Sequence, residues 1–442
     1  MYTNNKTEKD HSIMLLFFLA LLLLMQVIRH VIGISIPLSF FTLIFAVAVF
    51  LLSRAESIVL VAAMVPFCNN LPMNEILLCF IAMIIIKESF NRGKICIRQQ
   101  YFGLLAIWVV IEIINNLRIG IIPNINIIYW LVYLLAIYFM IDTEIDEVNR
   151  KRIGKYYCLG TCAFVLLLSF VTIRSYGISS FLAGSIRLGR TDDVSSLFSS
   201  NPNSVALLCV LATSICLHLI ESKAIRMWYG IPIILISLIG GVVSQSRAFI
   251  IGEITLLIIF TLARGTDQRR TFWTKVAIIA IVICGVYFVT KQYPDILNTV
   301  LGRFQEDDIT NGRVSITQGY FKASLTDPLG VLFGYGLSSY MQALLGIAGV
   351  QNSAHSMILE VYLSWGIVGF VIVTSWIISL IRIRKSNCFN YGNNSGSMIP
   401  LIILLVMLQS SRMFRTLNPI LLLAIAIIFS QGVKDTKREF EA

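Results

Sequence analysis

Apolar stretches long enough to cross a lipid bilayer follow one another along almost the whole chain, and few folds accommodate that. A hydrocarbon core about 30 Å thick needs about 20 apolar residues per helix. Backbone polar groups inside it must be satisfied within the spanning element itself. Of the 442 residues, 57% are hydrophobic and only 13% charged, against about 25% charged in soluble domains. Water-soluble folding is excluded. The runs are longer than barrel strands and lack strict alternation, so helices are expected rather than a closed barrel. The chain reads as all-α: a polytopic helical membrane protein forming one integral membrane domain over residues 1–442.

Spans are expected near 13–32, 37–52, 57–68, 75–87, 101–117, 124–141, 156–174, 203–220, 228–243, 248–263, 276–291, 356–381, 398–411 and 417–431. The third and fourth are short and flank the polar break Asn69-Asn70-Leu71-Pro72. Broken or re-entrant helices there would lower the number, so about twelve to fourteen crossings are expected. The run from Ile13 to Ile28 lacks a small-residue cleavage site and is followed by further spans, so it is read as a retained first helix. The nine cysteines form no CxxC pair and mostly lie in apolar runs, as small packing residues do. His11, His30, His218 and His355 are scattered, so no metal site and no cofactor are expected.

Basic residues set the orientation. With the N-terminus inside, most of the 35 lysines and arginines fall on cytoplasmic loops, among them Arg54, Lys87, Arg98, Arg150, Arg226, Arg270, Arg384 and Lys437. Both termini are then cytoplasmic, and the net charge of +11 reflects topology rather than a nucleic-acid partner. Twelve basic residues fall outside, and ten are arginines: Arg29, Arg118, Arg174, Arg187, Arg190, Arg247, Arg303, Arg313, Arg412 and Arg415. Arginine is favoured where phosphate is held in a bidentate fork, so an anionic ligand is expected on that face. Two outer segments are long, 175–202 and 292–355. Such loops in a compact bundle are usually functional. The second carries a short amphipathic stretch near Ser315 to Leu325 and reads as a lid across an outward-facing cavity.

Three outer segments carry candidate chemistry. Asn201-Pro202-Asn203 opens the eighth span, either as a helix cap or as a substrate contact. In the tight turn Ser244-Gln245-Ser246-Arg247, the arginine either snorkels to headgroups or holds phosphate. The long loop contains Gly312-Arg313 and Phe333-Gly334-Tyr335-Gly336, and ends at His355. An imidazole near arginines suits a general base close to neutral pH. Glu112, Glu253 and Glu360 lie in the outer parts of spans, where carboxylates are usually functional or paired. Pairing would neutralise Arg118, Arg247 and a neighbour of Glu360.

Taken in order, these segments resemble the O-antigen polymerase and O-antigen ligase superfamily (Wzy-type) of bacterial membrane glycosyltransferases. The resemblance covers about residues 185–370 and includes Gly366 to Gly369 after the histidine. It departs at Ser356, where such proteins often carry asparagine. The resemblance implies a polyprenyl-pyrophosphate-linked oligosaccharide as substrate, glycosyl transfer without metal or nucleotide sugar, and a plasma or bacterial inner membrane location with the active face external. It further implies a chain-length regulator protein as a partner. Arg247 and Arg313 would stabilise the leaving pyrophosphate and His355 would act on the acceptor hydroxyl. Arg190, Asn203, Glu253 and Glu360 are the expected substrate-binding residues. Polymerisation into O-antigen or capsule is favoured over ligation to another acceptor. A lipid-linked-sugar flippase is the rival of a different class, but it would show inverted repeats and midplane sites.

Overall fold

The computed structural model describes residues 3–93, 95, 97–120, 125–182, 186–189, 201–262, 276, 280, 287, 291, 298, 302, 313–337, 339–348, 356–386, 398–414 and 417–430. Every regular element among them is helical. In chain order they are α1 (Thr3–Val27, prolonged by a π-helical turn Ile28–Ile32), α2 (Leu38–Leu51), α3 (Arg54–Met64), α4 (Met73–Arg92), α5 (Gln99–Arg118), α6 (Ile125–Asp142), α7 (Glu147–Tyr176) and α8 (Ile178–Leu182). There follow α9 (Pro202–Glu221), α10 (Met227–Val243), α11 (Arg247–Leu262), α12 (Arg313–Ser324), α13 (Pro328–Phe333), α14 (Tyr340–Ala348), α15 (Met357–Ser386), α16 (Ile399–Met407) and α17 (Leu417–Phe429).

Among the described residues, five helices have the length and composition to cross a bilayer: Ile13–Ile32, Gln99–Arg118, Glu147–Tyr176, Pro202–Glu221 and Met357–Arg384. Five shorter apolar helices stand beside them: Leu38–Leu51, Asn126–Asp142, Met227–Val243, Ile399–Ser410 and Asn418–Phe429. The chain is an all-α polytopic membrane protein. The expected span 276–291 lies mostly outside the described residues.

The third expected span is α3, and every residue from Glu56 to Met64 is buried. It is therefore an interior helix rather than one facing lipid. Its start is set by a capping box: Glu56 N donates to Ser53 Oγ (3.3 Å) and Ser53 N to Glu56 Oε2 (3.1 Å). Between helices in lipid, small residues let backbones approach closely. A Cβ on Gly160 of α7 would lie 2.0 Å from the Ala63 carbonyl oxygen. Glycine at 160 is what allows α3 to lie against α7.

Four of the basic residues assigned to one side make polar contacts near helix ends. There Arg54 pairs with Glu88 (3.0 Å), Arg98 with Asp142 (3.4 Å), and Lys87 donates to the Leu52 carbonyl (2.7 Å). Buried Arg384 reaches the Thr143 carbonyl at 2.9 Å. The Phe333–Gly336 turn lies toward the other ends of α5 and α15. Midway sits a cluster of aromatic rings: Trp108 contacts Trp130, Trp365, Trp376 and Phe414 at centroid distances of 5.2, 5.0, 5.6 and 5.6 Å. Edge-to-face geometry of this kind adds to the packing and ties α5, α6, α15 and the turn before α17 into one block.

Gly160→Leu is expected to disrupt the bundle, lowering stability by more than the ~1–3 kcal/mol of ordinary overpacking, because the neighbour is backbone. Gly103→Leu, with nothing within 4 Å of its Cβ, should be near neutral. Thermal unfolding in detergent compares the two.

Candidate functional site

The first motif residues converge through short loops. Asn201 caps α9 by accepting from Asn203 N (2.8 Å), so its side chain serves as the helix cap. Asn203 points its own Oδ1 at Ser246, whose hydroxyl donates at 2.8 Å. That bond joins the first turn of α9 to the start of α11. The connecting turn is tight: Gln245 has φ 50°, Ser244 Oγ donates to the Gly241 carbonyl (2.6 Å), and Ser246 N donates to Ser244 Oγ (3.3 Å). Residues 187–189 of the first long loop dock on the same turn. Leu188 N bonds the Val243 carbonyl (3.0 Å) and Arg187 Nε the Ser244 carbonyl (3.3 Å).

Two helix N-termini thus sit side by side, with Arg247 as the first residue of α11. Helix N-termini carry positive potential and present amides to anions. A half-buried guanidinium placed there adds to that potential. The arrangement suits phosphate.

The second convergence involves the Phe333–Gly336 turn. Helix α15 is broken at Gly366, where φ is 64° and ψ −155°. The turn fills the break. Tyr335 N and Gly336 N bond the carbonyls of Leu363 and Ser364, each at 2.8 Å. Contact is close enough that a Cβ on Gly366 would lie 2.4 Å from the Leu332 carbonyl, and one on Gly334 would lie 2.3 Å from Trp365 N.

Helix α5 clamps this turn from one face. Leu337 N donates to both oxygens of fully buried Glu112 at 3.0 Å, and Trp365 Nε1 donates to Glu112 Oε2 at 2.8 Å. Asn116 donates to Glu112 Oε1 (3.0 Å) and accepts from Ser339 Oγ. Asn115 donates to the carbonyls of Phe333 and Ser364. Arg118 donates to the Gly334 carbonyl, pairs with Asp327 at 3.4 Å and lies over the Tyr335 ring. The expected neutralisation of Arg118 by Glu112 is thus replaced: Asp327 is the ion partner of Arg118, and Glu112 serves N–H donors of the turn.

Above the turn, α12, α13 and α14 form the small helical element expected over the second loop. It has its own core of Tyr320, Ala323, Tyr335, Tyr340 and Leu344 against Leu359 and Leu363 at the start of α15. Arg313 is the first residue of α12. Arg190 and His355 lie outside the described residues, the latter directly before Ser356 and the start of α15. Glu360, fully buried in the first turn of α15, accepts from Met413 N (2.7 Å) and Phe414 N (3.0 Å), fastening the turn between α16 and α17 to the start of α15.

Glu253 faces Thr213 of α9 rather than Arg247. Six residues along a helix turn the side chain by about 240°, which carries it to another face. The sequence reading missed Asn115, Asn116 and Trp365. The available signal was three polar residues at i, i+3 and i+4 inside an apolar span, which share one helix face.

Residues 232–374 match the family described as O-antigen ligase. The match covers about a third of the chain and supports the O-antigen ligase and polymerase superfamily, to which the motifs are similar. It includes Arg247, Glu253, Arg313, the broken helix and Glu360, and leaves out Arg190 and Asn203. No curated protein matches the chain.

Removing the clamp should release the turn. Glu112→Ala leaves buried donors unpaired and is expected to cost about 2–4 kcal/mol, whereas Glu112→Gln keeps an acceptor and should lose less. Thermal unfolding in detergent measures this; a Glu112→Ala chain as stable as wild type would contradict the assignment.

Proposed function

We propose that the chain is a membrane glycosyltransferase that polymerises polyprenyl-pyrophosphate-linked oligosaccharide repeat units into a surface polysaccharide. The observation that carries this reading is the Ser246–Asn203 bond, which sets Arg247 between two helix N-termini as an anion site. By the orientation rule the basic end of the bundle is taken as cytoplasmic, which supports a reaction on the external face of the membrane.

In this mechanism the growing glycan moves from its lipid pyrophosphate to a hydroxyl of a second lipid-linked unit. A glycosidic bond forms as the anomeric carbon–pyrophosphate bond breaks. Charge develops on the departing pyrophosphate, and Arg247 with Arg313 stabilises it electrostatically. His355 takes the proton of the attacking hydroxyl. Glu360 positions this region through the 413–414 amides, and the clamped turn fixes the start of α15, which follows His355 in the sequence. Arg190, Asn203 and Glu253 contribute on the substrate side, and a chain-length regulator is the expected protein partner. The match to the O-antigen ligase family favours a second reading, ligation of the glycan to another acceptor.

The test is glycan laddering in cells lacking the gene, rescued with wild type, Arg247→Ala, Arg313→Ala or His355→Ala at matched membrane abundance. Each variant should lose about a hundredfold or more of its output. Deletion should leave single repeat units on the surface acceptor. Polymer accumulating on its lipid carrier would instead assign ligation, and wild-type ladders from all three variants would refute the site. Product formation by the purified enzyme should also survive chelation with EDTA.

A further inference from the structure

The outer end of α1 holds charge with no neutralising partner among the described residues. Gln26 is fully buried and Arg29 retains 9% exposure. Both polar atoms of Gln26, and Nε and Nη1 of Arg29, are buried without a hydrogen-bond partner among the described residues. Three residues apart, the two side chains share one helix face. Buried groups of this kind are costly unless something pairs with them.

Among the described residues, no carboxylate of the helices packed most closely on α1 does so. Helix α1 packs on α2 and α3, and its π-helical turn packs on α7. Helix α2 has no charged residue. The acid in α3 is Glu56, in its first turn at the opposite end, where it closes the capping box. The acid in α7 is Glu147, also at the opposite end and paired with Lys151. What the fold does bring here is a second cation: Arg174, exposed at the last turn of α7, donates to the Val31 carbonyl. Arg174 therefore reaches the same end of this helix, bonded two positions beyond buried Arg29 and itself exposed.

We propose that Gln26, Arg29 and Arg174 form a second phosphate-binding site, which takes the headgroup of a membrane lipid from the outer leaflet. It stands on a different set of helices from the Arg247 turn, whose helix α11 packs on α9 and α16. Both arginines oppose the orientation rule, and a planar guanidinium is the side chain that matches phosphate in a fork. Resting on the proposed function, the occupant is the second polyprenyl-pyrophosphate-linked glycan that a polymerase must hold alongside the first.

The experiment titrates purified full-length protein in detergent with undecaprenyl pyrophosphate and, separately, with phosphatidylglycerol. Wild type, Arg29→Gln, Arg174→Gln and Gln26→Leu are compared, each also in an Arg247→Gln background. Arg29→Gln should weaken at least one probe about tenfold or more in both backgrounds. Gln26→Leu removes a buried polar group in favour of an apolar one, so it should melt no lower than wild type while also binding more weakly. Loss for undecaprenyl pyrophosphate alone identifies the lipid-linked glycan, and loss for both probes identifies a general phospholipid headgroup. Unchanged affinity for both probes in a folded Gln26→Leu protein and in Arg29→Gln would overturn the site. Wild-type glycan ladders from the Arg247, Arg313 and His355 variants together would refute the proposed catalytic site and leave this binding result standing.

Discussion

A carboxylate buried inside a membrane bundle is costly unless its oxygens are fully engaged, and Glu112 meets that demand in a way that organises everything above it. Its acceptors hold Leu337 N and the Trp365 indole. One side chain therefore ties the turn after α13 to the residue immediately before the break in α15. Asn115 and Asn116 extend the clamp to the carbonyls and hydroxyl on either side. Without these bonds a broken transmembrane helix would leave backbone amides and carbonyls unpaired where no water reaches them. The turn at 334–336 supplies those partners, so the break and the inserted turn depend on each other.

This arrangement explains how a lid made of short helices can be positioned over a membrane protein. Helices α12 to α14 are too short to be stable alone. They rest on a small tyrosine-rich core, which is mounted on the first turns of α15. Those turns in turn hold the 413–414 amides through Glu360. Arg313 at one edge of the lid and the start of α15 at the other are thus referred to one rigid frame. The Asn203–Ser246 bond sets Arg247 independently, through α9 and α11.

Nearly all helices were legible because a bilayer-spanning run announces itself in composition, and a helix does stand over 313–324, though without the marked amphipathic face expected near Ser315 to Leu325. Other features were not legible. Glu112 and Leu337 are 225 positions apart, and no local pattern says which backbone will occupy a buried carboxylate. Gly366 was read as part of a motif, but its role as the break in α15 depends on φ 64° and on a turn inserted from another segment. The interior position of α3 was hidden for a different reason: lipid and protein interior are equally apolar, so hydropathy does not separate them. At the candidate site, Asn203 was legible as a polar residue at a helix start, whereas its partner Ser246 is a choice made by the packing of α9 and α11. The neutralisation of Arg118 failed as an expectation because proximity along one helix was weighed without Asp327, which arrives from the lid.

The most direct measurement is hydrogen exchange of the Gly336 and Leu337 amides in detergent-solubilised wild type and Glu112→Ala. The account predicts that in wild type these turn amides exchange as slowly as those of α5 itself, and that the substitution accelerates them by orders of magnitude while α9 and α11 stay protected. Exchange of both amides at the rate of an open loop in wild type would contradict the clamp, and with it the frame on which the proposed site is built.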